Sequence, residues 1–216
     1  MPARDDILSS LGLDPLVADL SFKLDASDST LTSPSGTRAV LAGAEMMRSL
    51  HLILNQESGS TWAEVLKTGG HFCGKKFAAD LDVRLALLGK PELAGLPLEA
   101  CLVFIENYFA VHGLGRLKLD LSHAPGHGLI VARLENSFFA DSLPEIDGFT
   151  DPLPAGLLRG FFEHISGQEL GCDEIACAHQ GGEHCTFVLT APERLSAVAP
   201  YVGRENAEAI VARLCT

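Results

Sequence analysis

The chain has 216 residues, of which 47% are hydrophobic and 20% charged, and its formal net charge is −12. The hydrophobic share is enough for a sizeable core and excludes intrinsic disorder. The acidic balance argues against nucleic acid and anionic membranes as partners, because both attract a basic face.

Export and membrane signals are the next features to look for. Residues 1–20 alternate acids with short apolar runs and lack the basic start and long apolar stretch of a signal peptide. The longest apolar runs fall far short of the roughly 20 residues of a membrane helix. Six cysteines in a chain of this size do not resemble a secreted disulfide framework. We therefore expect a cytoplasmic protein without a membrane span.

The first part of the chain divides at residue 37. Residues 1–37 are expected to form an N-terminal arm, in which residues 20–24 alternate like a short strand. Residues 38–216 are expected to form the main domain.

A helical apolar spacing runs from residue 38 to about residue 88, with a break at residues 55–60. Gly69, Gly70 and Gly74 fall inside the second of these helices. Because a glycine costs a helix about 1 kcal/mol, they are expected to mark a bend or a close approach of backbones.

The middle of the chain predicts a helix and a hairpin. Leu98, Leu102, Ile105 and Phe109 form the apolar stripe of a helix that begins at about residue 97. Two alternating strands follow around a Pro-Gly turn, over residues 116–121 and 129–134.

The last third repeats this plan. A helix is predicted over residues 154–166, strands over residues 169–178 and 184–189, and further helical segments from residue 192. The order helix, hairpin, helix, hairpin, helix predicts an α+β fold, an antiparallel sheet with helices packed on it.

Metal-binding residue types concentrate in residues 171–185, which hold three of the six cysteines and two of the eight histidines. Hairpin pairing would bring Cys177 and Cys185 together. Glu174 and Cys177 lie on opposite faces of an ideal strand, so a bulge is needed to bring both into one site.

A zinc ion takes four ligands from thiolate, imidazole and carboxylate groups. Besides Glu174, Cys177 and Cys185, the candidates for the fourth ligand are Cys172, His179 and His184. Two alternatives stay open: buried free cysteines that pack as small apolar side chains, and a redox disulfide between Cys177 and Cys185.

Three motifs in this region resemble the signature of the 4-vinyl reductase (V4R) domain family: Gly160-Phe161-Phe162, Glu174-x-x-Cys177 and the run from Gly181 to Phe187. The domain is similar to the sensor module of phenol- and xylene-responsive transcription activators. The resemblance implies a ligand-binding fold of the NO-signalling and Golgi-transport type.

In those sensors zinc is held by a cysteine before a helix, a strand glutamate and two hairpin cysteines. Glu174, Cys177 and Cys185 match three of these positions. The fourth falls near Ala155, which is not a ligand, so a zinc site would need a substitute such as Cys172 or a histidine.

The middle of the chain resembles a photosynthetic branch of the family, the 4-vinyl reductase proteins of bacteriochlorophyll biosynthesis. Residues 102–109, 113–117 and 135–140 carry this resemblance, which spans roughly residues 38–190. It implies a tetrapyrrole ligand, pigment-biosynthesis enzymes as partners, and reductase activity if the family name applies.

A reductase would need a hydride donor such as NADPH. The glycines of residues 69–74 sit inside a helical pattern, and those of residues 113–115 precede a strand, so neither forms a dinucleotide fingerprint. We therefore favour binding of a tetrapyrrole intermediate, as a carrier or assembly factor. The alternatives are a divinyl protochlorophyllide reductase and a sensor of small aromatic compounds or hydrocarbons. A homodimer paired through the N-terminal arm is also expected.

A ligand pocket of this kind needs aromatic and apolar walls. Two histidines, His71 and His112, are candidates to bind a chlorin magnesium or a propionate. The aromatic candidates are Trp62, Phe72, Phe77, Phe104, Tyr108, Phe109, Phe138, Phe139, Phe161 and Phe162.

Overall fold

The computed structural model describes residues 4–18, 21–34, 36–143 and 145–216. The longer helices are α1 (Arg4–Leu11), α2 (Ala44–Ser58), α3 (Trp62–Leu87), α4 (Leu98–Val111), α7 (Pro152–Ser166), α8 (Pro192–Val198) and α9 (Ala207–Leu214). Two short helices are α5 (Ala124–His127) and α6 (Phe138–Ser142). The strands are β1 (Lys23–Asp25), β2 (Thr30–Thr32), β3 (Arg38–Ala39), β4 (Arg116–Asp120), β5 (Ile130–Glu135), β6 (Gly171–Ala176) and β7 (Cys185–Thr190).

The central sheet has four strands in the order β4-β5-β7-β6, and every neighbouring pair is antiparallel. Both predicted hairpins are present, and they join through β5 and β7, where Leu134 lies opposite Cys185. Helices pack on this sheet, so the predicted α+β fold is confirmed.

The segment before the main helices differs from the sequence prediction at two points. The strand expected over residues 20–24 begins at Lys23, and Leu20 lies outside the described residues. The helix expected from residue 38 begins only at Ala44, because Arg38 and Ala39 instead pair with Thr32 and Leu31 as a strand.

Helices α3 and α7 cross with their backbones in contact. A Cβ atom at Gly74 on α3 would lie 2.1 Å from the carbonyl oxygen of Leu157, and one at Gly156 on α7 would lie 1.9 Å from the carbonyl oxygen of Lys67. Gly70 and Gly160 face the partner helix in the same way. The expected close approach is therefore present at Gly70 and Gly74 but not at Gly69, and α3 runs through it as one continuous helix.

The main core lies between the central sheet and helices α3, α4 and α7, with α1 packed against α4. A smaller core under α8 and α9 covers the other face of the sheet through Val131, Ile175 and Val188. A third cluster joins α2, α3 and α6 around Trp62 and Phe139. Within the described ranges, no helix combines the length and apolar character needed to cross a bilayer.

Candidate metal centre and adjoining grooves

Four buried side chains, two carboxylic acids and two thiols, meet where helix α7 starts and the β6–β7 hairpin turns. Asp151 directly precedes α7, Glu174 lies on β6, Cys177 follows β6, and Cys185 opens β7. One oxygen or sulfur atom from each of the four lies within 4.8 Å of the others. We call these four residues the donor cluster.

An irregularity in the hairpin makes this convergence geometrically feasible. Glu174 is opposite Phe187 while Ala176 is opposite Thr186, so the pairing of β6 with β7 shifts by one residue between them. An extra residue in one strand reverses which face the following side chains take. The bulge predicted as the condition for one site is therefore confirmed.

The two thiols are separate and close. Cys177 Sγ and Cys185 Sγ lie 3.7 Å apart, well beyond the length of about 2.05 Å of a disulfide bond. A zinc–sulfur distance of about 2.3 Å in tetrahedral geometry places two sulfurs about 3.8 Å apart. Cys177 Sγ also lies 3.3 Å from the Thr150 hydroxyl, and the Ala178 amide donates to Cys185 Sγ at 3.4 Å. The spacing and these contacts suit a pair of metal-bound thiolates.

Each carboxylate of the cluster has one oxygen held and one without a partner. The Ser137 hydroxyl donates to Asp151 Oδ1 at 2.6 Å, and the Asp151 amide donates to Glu174 Oε2 at 3.0 Å. Asp151 Oδ2 and Glu174 Oε1 are buried and have no hydrogen-bond partner among the described residues. A buried polar atom without a partner is costly, and a cation would satisfy both oxygens.

The pKa values of the two carboxyl groups also favour a cation bound at the cluster. Burial raises the pKa of Asp151 to about 6. Burial, followed by the nearby charges of Asp151 and Cys177, raises the pKa of Glu174 to about 10. The two carboxyl groups therefore resist joint ionisation while no cation is near them. The donor types, the burial and the orphaned oxygens all fit zinc, with every ligand supplied by the protein.

Sequence reasoning found three of these donors and missed the fourth. Cys172 is buried on β6 opposite Leu189, outside the donor cluster. His179 and His184 are partly exposed and are also outside it. Asp151 stands one helical turn before Ala155, and α7 begins at Pro152 instead of residue 154. The available signal was the Asp-Pro pair, which is typical of a helix start.

Most of the aromatic side chains proposed as pocket walls are packed into the cores. Four lie fully buried in the main core: Phe104, Phe109, Phe161 and Phe162. Three belong to the cluster around α2 and α6: Trp62, Phe138 and Phe139. Phe77 and Tyr108 pack against the main core with their rings 4.3 Å apart, whereas Phe72 is 67% exposed.

The two histidines have protein partners. His112 stacks on the Tyr108 ring at 4.0 Å, and its Nδ1 lies 2.8 Å from the Tyr108 carbonyl oxygen. His71 Nε2 lies 2.6 Å from Glu163 Oε2 on α7. Glu163 also accepts from Lys75 at 3.1 Å and from Arg159 at 2.9 Å. His71 is thus part of the polar contact between α3 and α7.

Two open grooves adjoin strand β6, and one of them touches the donor cluster. Groove A, of about 280 Å³, is lined by Ala63, Glu64, Lys67, Phe149, Pro152, Ala155, Asp173, Glu174, Ala199 and Val202. Groove B, of about 230 Å³, is lined by Lys67, Arg159, Gly171, Cys172, Asp173, Pro192, Leu195, Ser196 and Ala199. None of the twelve aromatic and histidine candidates lines either groove, whereas Glu174 belongs to both the donor cluster and groove A.

Comparison with known proteins identifies the region that carries this site. The sequence model of the V4R domain matches residues 130–191, which include all four residues of the donor cluster. The family resemblance expected from the motifs is confirmed over these residues. No curated protein matches the chain significantly.

Two solved structures share the fold, and a third gives a weaker superposition. The phenol-responsive sensory domain of the transcription activator PoxR, solved with phenol, superposes with a TM-score of 0.67 at 16% identity, covering 100% of this chain and 98% of that one. A trafficking protein particle complex subunit 3 from Naegleria fowleri, covalently bound to palmitic acid, gives 0.51 at 10% identity, covering 68% and 93%. A vinyl-4-reductase family protein from Methanocaldococcus jannaschii gives 0.47 at 16% identity, covering 70% and 83%.

Proposed function

We propose that this chain is a small-molecule-binding domain in which a structural zinc ion, held by Asp151, Glu174, Cys177 and Cys185, fixes the wall of the ligand groove. The observation that carries the proposal is the position of Glu174, whose side chain belongs to the buried donor cluster and also lines groove A. Zinc bound there would tie the start of α7 to the β6–β7 hairpin, and so would hold the groove in shape.

The donor cluster favours binding over catalysis. Catalytic zinc sites have three protein ligands and keep a position open for water or substrate, whereas structural sites have four protein ligands. Here the protein supplies four donors, and all of them are buried. The absence of a dinucleotide fingerprint in the sequence also disfavours a vinyl reductase that uses NADPH.

The size of the grooves favours a small ligand. Groove A holds about 280 Å³, just below the range of roughly 300–1,000 Å³ for drug-sized ligands. A tetrapyrrole macrocycle needs more room than groove A alone provides. We therefore place a small, mainly apolar compound ahead of the tetrapyrrole intermediate favoured by the sequence. The fold shared with the phenol-responsive domain of PoxR supports the same choice.

Metal content tests the zinc site. We expect one zinc per chain after purification, and its loss in Asp151→Asn, since an amide is a poor zinc ligand. Cys172→Ala is the matched control. Cys172 is as buried as Asp151 and stands two residues before Glu174, but it lies outside the donor cluster. Full zinc content in Asp151→Asn together with loss in Cys172→Ala would assign the fourth ligand to Cys172.

Ligand titration tests the binding function. We expect phenol to bind the zinc-loaded chain saturably in calorimetry, without consumption of NADPH. A protochlorophyllide-type pigment serves as the competing probe. Saturable binding of the pigment but not of phenol would favour the tetrapyrrole carrier, and loss of its vinyl group with NADPH would establish a reductase.

A second copy of the chain is the partner that we propose for the exposed apolar side chains near α2. Met46, Leu50 and Ile53 form a stripe on this helix, and Val40 and Leu41 precede it; all five are more than half exposed. Such a stripe is costly in a monomer. Light scattering should show a dimer that Leu50→Glu dissociates, whereas a monomeric wild type would exclude this pairing.

A further inference from the structure

Grooves A and B are neighbours that share three lining residues, Lys67, Asp173 and Ala199. Lys67 Nζ on α3 and Asp173 Oδ1 on β6 form an ion pair whose side chains are 20% and 39% exposed. This pair lines both grooves, so one elongated ligand that spans them would contact it. The two grooves therefore adjoin each other at this ion pair, and they form the two ends of the candidate site.

The two ends differ in chemistry. Groove A has apolar walls from Phe149, Pro152, Ala155 and Val202, and its lining also includes the acids Glu64, Asp173 and Glu174. Groove B contains the basic side chains of Lys67 and Arg159, and Asp173 is the single acid among its lining residues. Lys67 is paired with Asp173 and Arg159 with Glu163, so groove B offers two placed cationic donors and not a net positive charge. Such a division suits a ligand with an apolar body and an anionic head.

Arg159 is fixed in position and still has donors to offer. Its Nε donates to Glu163 Oε1 at 2.9 Å, and its Nη2 lies 4.0 Å from Glu169. Glu163 is itself buried and is contacted by His71 and Lys75, which face it from successive turns of α3. A guanidinium group has five N–H donors in a rigid fork. The anchored Nε therefore leaves Nη donors for a carboxylate at the groove.

We propose, on the basis of the binding function above, that the ligand of this domain is a small apolar carboxylic acid. Its apolar body would lie in groove A, and its carboxylate would be bound in groove B by Arg159 and Lys67. Paired charge-assisted hydrogen bonds from a guanidinium fork to a carboxylate are stronger than neutral ones and orient the ligand. Lys67 would share its charge between Asp173 and the ligand.

Two probes with the same ring test the proposal on the zinc-loaded full chain: benzoate and benzyl alcohol, titrated by calorimetry. We expect benzoate to bind at least tenfold more tightly. Arg159→Gln should weaken benzoate about tenfold and change benzyl alcohol less than twofold. Arg133→Gln is the matched control, because Arg133 is exposed on β5 and lines neither groove.

The outcomes separate the two proposals. If benzyl alcohol binds as tightly as benzoate, the ligand is not selected as an acid, although groove A still binds small molecules. If neither probe binds, the binding function fails as well. Lys67→Gln provides a second test should Arg159→Gln lower the melting temperature. Benzoate affinity that survives both substitutions would overturn the proposed carboxylate site.

Discussion

Helix α7 makes two contacts that hold the fold together by different means. Against α3 it presents glycines, and the backbones touch where any side chain would collide. At its start, beside the β6–β7 hairpin, Asp151 meets the three other residues of the donor cluster in a buried space. The first contact depends on volume, and the second depends on charge. Substitutions, chelators and pH should therefore affect the two contacts in different ways.

The largest effect is expected from adding one methyl group at the α3–α7 contact. Gly74→Ala would place a Cβ 2.1 Å from the Leu157 carbonyl oxygen, and the backbone of α7 cannot yield as a side chain could. We expect the free energy of unfolding to fall by about 3 kcal/mol, measured by urea denaturation.

Gly69→Ala is the control for this substitution on the same helix. Gly69 has no atom within 4 Å of its added Cβ, so only the helical preference of alanine remains. The free energy of unfolding of this variant should rise by about 0.5–1 kcal/mol. Equal effects of the two substitutions would mean that the backbones of α3 and α7 are not in contact.

Metal removal should weaken the second contact alone. If free zinc is present at a hundred times its dissociation constant, the ion contributes about 2.7 kcal/mol, and a chelator removes that stabilisation. Hydrogen exchange should then quicken around residues 174–185, while the buried centre of α3 near Ala78 stays protected. Exchange that rises equally in both regions, or in neither, would contradict a metal-dependent contact at the hairpin.

A smaller effect is expected from acid at the α3–α7 contact. Burial alone would raise the pKa of Glu163, but hydrogen bonds from His71, Arg159 and the Leu170 amide lower it to about 2. Because the pKa is lowered in the folded state, this stabilisation is present above pH 4.5 and is lost as the pH falls towards 2.

Glu163→Gln removes the titrating group. The wild type should lose about 2 kcal/mol of its free energy of unfolding between pH 4.5 and pH 2, and the variant should lose that much less. Glu169→Gln, whose carboxylate is 78% exposed, should behave like the wild type. Identical acid profiles for all three proteins would show that Glu163 is not held as an ion in the folded protein.

The sequence predicted contacts between residues that are close together in the chain, and it missed contacts between distant residues. Cys177 and Cys185 are eight residues apart on one hairpin, so strand pairing alone brings them together. Asp151 lies outside that hairpin, and it reaches Glu174 only because α7 packs on β6. The sequence pattern contains no sign of that packing.

The aromatic residues also show a limit of the sequence prediction, because the sequence did not distinguish pocket walls from the core. Residues such as Phe104 and Phe161 are equally typical of a pocket wall and of a protein core, because both environments are apolar. The packing of α4 and α7 against the sheet leaves them buried in the main core. Groove A instead takes its apolar walls from Phe149, Pro152 and Ala155, which no periodic pattern marks.

Local rules were enough to determine the order of helices and hairpins, the pairing of the strands, and the need for a bulge between Glu174 and Cys177. These follow from side-chain periodicity and turn chemistry, which act between neighbours in the chain. The tertiary structure decided the fourth donor, the use of Gly70 and Gly74 as a helix contact, and the position of the grooves. Each of these depends on how the helices and strands pack against one another. That packing is determined by the fit of surfaces from distant parts of the chain.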